Sequence, residues 1–441
     1  MIDLLRELAG FGQQKGADEI EIMCQANTSV KVGCRLQKLE IAQTSDALDV
    51  GIRVIQNKRQ VFVSTSDVAP SSLKKQIEAA IEIVKYLPED PLARLIQEGF
   101  SKDFIHDDRY FDPSNPSITD LFQIAKETED AALSTHGITN SDGASSQSAV
   151  SNKIIVSSNG FSGQYQKSFF STMVSVVAGE GENMKTDYDY DTVLFFNQLR
   201  QAKEIGEKAA RKALGKLGSG KIKTGEIPII FDKHVGKQVF RSFLRAINGK
   251  SIAQKTSFLK EDLHKSLFPK GFFMTDAPFL EGKIGSRPFD DEGVIGKDLE
   301  IIADGILKTW ILDHTSAVKL GLKTTGHSSR SLSGPSFPST TNIQIQGNLH
   351  NLDDLMRDIT LGFYVTDLMG EGGSSITGDF SSGAEGFLIE NGRITTPIHE
   401  ATLGGHLREI FSTLILGNDF ESKGGIHSPS FMIPKMTVGG A

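Results

Sequence analysis

The sequence predicts an α+β fold: an N-terminal antiparallel sheet with covering helices, followed by a largely antiparallel β half carrying a few helices. Three features carry this expectation. An opening helical period gives way near residue 19 to alternation of period two, an amphipathic stretch then returns, and the chain beyond residue 225 turns to strands joined by Asp-Gly and Asn-Gly pairs.

Residues 2 to 15 space Ile2, Leu5, Leu8, Ala9 and Gly12 along one helical face. The segments "EIEIMCQ", "SVKVGCR" and "LQKLEIAQ" then alternate as a meander, which places Cys24 and Cys34 on neighbouring strands. "DVGIRVIQ" and "RQVFVSTS", joined around Asn57 and Lys58, extend it as a hairpin. Leu73, Ile77, Ala80, Ile81 and Val84 share the face of a further helix, closed by Pro88. From Pro88 to Pro116 the chain is rich in Pro, Asp and Asn, the composition of a crossing connection. Ser117 or Thr119 then caps a helix through Leu133. Strands follow in "SNKIIVSSN" and "KSFFSTMVSVVAG", and after them a long polar helix over about residues 192–215.

The Gly/Lys/Ser stretch 215–225 is the expected boundary, dividing the chain into 1–220 and 221–441 with a sub-boundary near 88–117. Beyond it, "EIPIIFD", "DLEIIADGILKTWILD" turning at Asp304 and Gly305, and "GFLIENGRITTPI" turning at Asn391 and Gly392 read as strands. Helices are expected over about 233–248 and 402–416.

At 441 residues the chain exceeds the size of one ordinary core and suggests two or three domains. Its 38% hydrophobic and 23% charged residues suit a soluble globular protein, and no apolar run approaches a membrane span. The opening residues mix acids with bases and do not read as a signal peptide, so the cytoplasm is the expected location. Two cysteines are too few for a disulfide framework and read as reduced core thiols. With a net charge of −8 and its nearest basic cluster, "KAARKALGKLGSGKIK", spread over a helix end and linker, nucleic acid is not expected as a direct ligand.

The most suggestive chemical motif is "HEATLGGH", residues 399–406. A zinc-protease helix needs histidines at i and i+4 so that both rings reach one ion. Here the separation is seven, about 10.5 Å along a regular helix, and Pro397 and Thr402 place His399 and Glu400 ahead of the expected helix. "INGKS" lacks the first glycine and the preceding strand of a phosphate loop, and no G-x-S-x-G surrounds Ser162, Ser374 or Ser381. His234, His264, His314, His327 and His427 show no paired spacing. The glycine-dense segment 369–386 remains as a candidate cleft, since such loops let a ligand approach backbone closely. Asp379, Ser381, Glu385, His399, Glu400 and His406 are its candidate peptide-binding residues.

"DDEGV" (290–294), "ADGILKTWILD" (303–313), "TTNIQI" (340–345), "TGDFSSGAEGFLIENGRITTPIHEATLGGHL" (377–407), "GND" (417–419) and the closing "SPSFMIPKMTVGG" resemble, in that order, the TldD/TldE (PmbA) family. The resemblance covers nearly the whole chain. It implies a cytoplasmic zinc peptidase system in which TldD carries an H-E-x-x-x-H helix and a later cysteine ligand and pairs with TldE, the family having roles in peptide processing and an older link to DNA gyrase.

Setting Asn248 and Gly249 against the acid-glycine pair after the family motif puts the first histidine on Phe240, the glutamate on Arg241 and the second histidine on Arg245. Phenylalanine offers no donor, arginine stays protonated, and no cysteine follows position 34. The resemblance is therefore to the TldE side, which implies no catalytic residues and no metal in this chain, with zinc expected only in a TldD-like partner. A heterodimer with that partner, or a homodimer, acting on unfolded peptide is the expected assembly. Two alternatives remain: a peptidase active alone through His399, Glu400 and His406 with Asp379, and a non-proteolytic homodimeric peptide-binding protein.

Overall fold

A computed structural model describes residues 1–370, 372–421 and 424–440. The first half comprises α1 (Ile2–Gln14), β1 (Glu19–Arg35), β2 (Lys38–Gln56), β3 (Arg59–Thr65), α2 (Pro70–Val84), β4 (Ile105–Tyr110), α3 (Ile118–Leu133), β5 (Ile138–Ser157), β6 (Ser162–Ala178), β7 (Lys185–Val193) and α4 (Ala202–Gly215). Its strands make one sheet in the order β3-β2-β1-β5-β6-β4, with β7 also on β6. Every pairing in it is antiparallel except β4 on β6.

The second half begins with β8 (Gly225–Phe231), α5 (Lys233–Ala246), α6 (Gly249–Ala253), β9 (Phe273–Asp276), β10 (Leu299–Ala303), β11 (Ile306–Leu307) and α7 (His314–Leu320). After these come β12 (Ser328–Ser329), β13 (Phe337–Pro338), β14 (Ile343–Gln346), β15 (Leu349–His350), α8 (Leu352–Met356), β16 (Leu361–Met369), β17 (Asp379–Glu390) and β18 (Arg393–His406). The remainder is α9 (Leu407–Thr413), β19 (Ile415–Gly417), β20 (Ile426–His427) and β21 (Phe431–Gly439). A five-stranded sheet runs β11-β10-β9-β14-β20, and a seven-stranded one runs β15-β19-β21-β18-β17-β16-β8. Because β21 pairs with β18 and also with β8, strands β8, β16, β17, β18 and β21 close into a ring.

The fold is α+β, as the sequence predicts. Local rules account for much of it. Ser117 caps α3 in a box with Asp120, each side chain bonding the other's backbone N–H. Asn57-Lys58 and Asn391-Gly392 turn their hairpins with both residues at positive φ. In the first half α1 and α2 cover the β1–β3 end of the sheet through Leu5, Leu8, Leu73 and Ile77, while α3 and α4 pack on β5 and β6 through Ala125, Ala132, Ala209 and Ala213. The largest core, in the second half, is rich in phenylalanine.

Four expectations are corrected. Cys24 and Cys34 lie on one strand, β1, because the two alternating segments run on without a turn; both are free and buried, and burial beside Glu129 pushes the Cys34 thiol up to about 11. The polar helix starts at Ala202, since Thr192 and Val193 still pair with β6. β5 and β6 are far longer than their apolar patches, the polar residues being carried by sheet pairing. Finally, residues 402–406 are strand, and only Leu407–Thr413 are helical. The two glycines at 404 and 405 pair with Ser381 and Phe380, and a bulge with Glu400 at φ 62 turns Ala401 and Leu403 back into the core.

The two halves meet through charge and backbone. Lys153 on β5 reaches Asp291 at 2.8 Å, and Arg330 reaches Glu21 on β1 at 2.8 Å. The chain at Leu332 lies so close to β2 that a Cβ on Gly51 would sit 2.3 Å from the Leu332 carbonyl oxygen.

Candidate functional site

β8 delivers the chain to α5, whose first turn is fixed by Asp232. Its carboxylate accepts from the His234 N–H at 2.8 Å and from the Tyr364 hydroxyl at 2.6 Å. One face of the helix is apolar and carries Val235, Val239, Phe240 and Phe243 into the core. Phe240 is 0% exposed, its ring 5.2 Å from that of Phe431 and 6.2 Å from that of Phe272.

The opposite stripe is cationic: Lys233, Lys237, Arg241 and Arg245 recur at every fourth position. Lys233 lies 3.5 Å from Asp419 and Lys237 2.7 Å from Glu421. Arg241 is exposed, and Arg245, half-buried, donates to Ser242 Oγ at 3.2 Å. Both arginines border a cavity of about 310 Å³ whose other described walls are Leu244, Asn248, Ile311, Pro338 to Thr341, Gly425 and Ile426.

The six residues expected in a cleft separate into two places on the β17–β18 hairpin. Asp379 and His406 are register partners at one end, next to α9, with Ser381 exposed two residues along. His406 is a helix cap: its Nδ1 accepts from the Arg408 N–H at 3.1 Å, and its Nε2 lies 3.3 Å from the Thr377 carbonyl oxygen. Glu385, His399 and Glu400 sit at the bulge. His399 Nδ1 is 2.5 Å from one Glu385 oxygen and Lys216 is 3.1 Å from the other, while Lys216 also bonds Asp187 at 3.0 Å. Glu400 is exposed. Seven residues of strand put His399 and His406 roughly 23 Å apart, so the two histidines do not share a centre. Of the glycine-dense segment, Asp379 onward is strand β17, and Glu371 lies outside the described residues. Among the described residues, no group of three His, Cys, Asp or Glu side chains has a metal-holding arrangement.

Sequence reasoning missed a buried acidic cluster at the junction of the halves. Asp290 accepts from the N–H groups of Glu292, Val294 and Ser328 at 2.9 Å each; Asp291 pairs with Lys153; Glu292 accepts from the His314 N–H and Ser336 Oγ at 3.0 Å each. Burial, then repulsion from Asp290 and Asp313, pushes the Glu292 carboxyl up to about 8. Three consecutive acids in "DDEGV" were the available signal, but partners such as Lys153 come from far along the chain. Beside this cluster, Arg94 to Gly99, Val294 to Leu299 and α7 enclose a cavity of about 680 Å³. His314, whose protonation is opposed first by burial and then by Arg94 and Arg53, borders it.

Comparison with known proteins matches three family models in register: the PmbA/TldA metallopeptidase domain 1 over residues 20–84, central domain over 111–217 and C-terminal domain over 224–440. The metalloprotease PmbA of Escherichia coli O157:H7 is 32% identical over 96% of this chain and 93% of its own. The metalloprotease PmbA homolog of Haemophilus influenzae is 31% identical over 99% and 96%. The crystal structure of a candidate modulator of DNA gyrase from Bacteroides thetaiotaomicron superposes with a TM-score of 0.90 at 26% identity, covering 100% of this chain and 98% of that one. TldE from Thermococcus kodakarensis gives a TM-score of 0.86 at 20% identity over 99% of each chain, a likeness of fold. No helix among the described residues is long and apolar enough to cross a membrane.

Proposed function

Since the chain belongs to the PmbA/TldD metallopeptidase family, we propose that it is the TldE/PmbA-like subunit of a cytoplasmic zinc peptidase system, one that holds no zinc and supports a TldD-like catalytic partner acting on unfolded peptides. The observation that carries this reading is the chemistry of α5. Phe240 stands where the first histidine is expected and is packed among Phe272 and Phe431, a position with no lone pair to offer a metal. Arg241 and Arg245 take the places of the base and the second histidine, and a guanidinium at neutral pH does not ligate a cation. The residues present do not fit the zinc that the family implies, and no step of hydrolysis is assigned to this chain.

Its share of the work is substrate handling. The cavity beside α5 offers a cationic wall to an extended peptide, whose main chain can be held with little dependence on its side chains. Zinc in the partner would polarise the scissile carbonyl and activate water.

Metal analysis of the isolated chain, followed by peptide cleavage with and without a TldD-like zinc peptidase, tests the proposal. Expected are no stoichiometric zinc, co-purification with the partner, and chelator-sensitive cleavage in the mixture only. Stoichiometric zinc with chelator-sensitive cleavage by this chain alone would overturn it.

A further inference from the structure

We propose that the cavity of about 310 Å³ beside α5 is an anion pocket that takes a carboxylate of the peptide, with Arg241 as its principal anchor. The inference rests on the peptide-handling role above and gives that role a chemical preference.

The first argument is the charge pattern of α5. Lys233 and Lys237 are each matched by an acid from the segment before β20, Asp419 and Glu421. Arg241, one turn further, has no hydrogen bond or ion pair to any described residue, although its guanidinium presents five N–H donors. Like charges four residues apart on a helix repel, so Arg241, lying between Lys237 and Arg245 with its guanidinium exposed, is the place on the stripe where an added anion is most favoured.

The second argument is the lining. None of the described lining residues is acidic. Leu244, Ile311, Pro338 and Ile426 make apolar walls, which lower the local dielectric and strengthen a charge-assisted bond. Ser339 and Thr340 add hydroxyl donors at the border, and Asn248 is held in place by donating from Nδ2 to the Pro338 carbonyl at 2.8 Å. A planar guanidinium matches a carboxylate in two parallel hydrogen bonds. The volume admits one residue-sized group rather than a folded partner.

A carboxylate can come from the peptide's C-terminus or from an aspartate or glutamate side chain, and the experiment separates the two. Three acetylated alanine-rich pentapeptides are titrated calorimetrically into the full chain without partner or metal: one with a free C-terminal carboxylate, its amide, and an amide carrying one central glutamate. The free acid, the glutamate peptide or both are expected to bind about tenfold tighter than the neutral amide, with the advantage falling at high salt. Arg241→Ala should erase that advantage, and Arg241→Lys should keep part of it, both with an unchanged thermal midpoint because the side chain is exposed. Equal binding of all three peptides, no binding of any, or an advantage that survives Arg241→Ala overturns the proposal. None of these outcomes depends on a TldD-like partner, so failure here leaves the subunit reading to its own test.

Discussion

Glu21 on β1 and Arg330, more than three hundred residues apart in sequence, meet at 2.8 Å with side chains 2% and 1% exposed. A pair so enclosed is held by the two halves jointly. Removing one partner strands the other charge in the interior, at a cost of about 3–5 kcal/mol. Glu21→Gln and Arg330→Met should each lower the denaturant midpoint strongly, and the double variant should lose less than the sum. Additive losses in a double-mutant cycle would show that the pair is not coupled.

Phe240 makes a sharper statement about α5. Truncation to alanine is expected to cost about 3–5 kcal/mol, because the ring fills the space between Phe272 and Phe431. Phe240→His should also destabilise, by burying a polar ring, and should not raise zinc content above that of the parent. Urea unfolding and metal analysis of both variants check this. A neutral substitution would place the side chain outside the core.

The acidic cluster sets an alkaline limit. The Glu292 carboxyl is raised from 4.5 to about 8, so the folded state holds this proton more tightly than the unfolded chain. Its stabilising contribution is full below about pH 4.5 and is lost as pH rises through about 8. Glu292→Gln should therefore flatten the fall in stability between those limits and leave the variant more stable than the parent at pH 9, read from thermal midpoints across the range. An unchanged pH slope would remove Glu292 as its source.

Gly386 tests whether the glycine-dense segment serves a ligand or the sheet. A Cβ there would stand 1.9 Å from the Tyr364 carbonyl oxygen of the neighbouring strand. Gly386→Ala is expected to cost several kcal/mol, on the order of an overpacked core site, measured by unfolding of the isolated chain. A tolerated alanine would reopen the reading of this glycine as a ligand contact.

What the sequence revealed and what it hid divide along the range of the interactions. The capping box at Ser117, the faces of α1 and α2, and the turns at Asn57 and Asn391 are decided within a few residues, and each is where local chemistry puts it. Residues 402–406 have the apolar spacing of a helix, through Leu403, Leu407 and Ile410, while pairing with β17 and β21, invisible locally, makes them a strand. The placement of Phe240, Arg241 and Arg245 on one helix was legible from motif alignment. The cavity beside the arginines was not, since its far wall comes from residues 338–341 and 425–426. Asp290 to Glu292 gave only a motif, because their meaning lies in Lys153, Arg330 and Ser336.

The ring in the second half joins β8 to β21, two segments separated by nearly two hundred positions. β8, β18 and β19 must each wait with one strand edge unsatisfied until the late segment arrives, so maturation of this half should be slow and governed by non-local encounter rather than by helix formation. Cells making the protein quickly would thus expose a sticky half-built sheet, and yield should depend more on chaperone supply than on the stability of the finished fold.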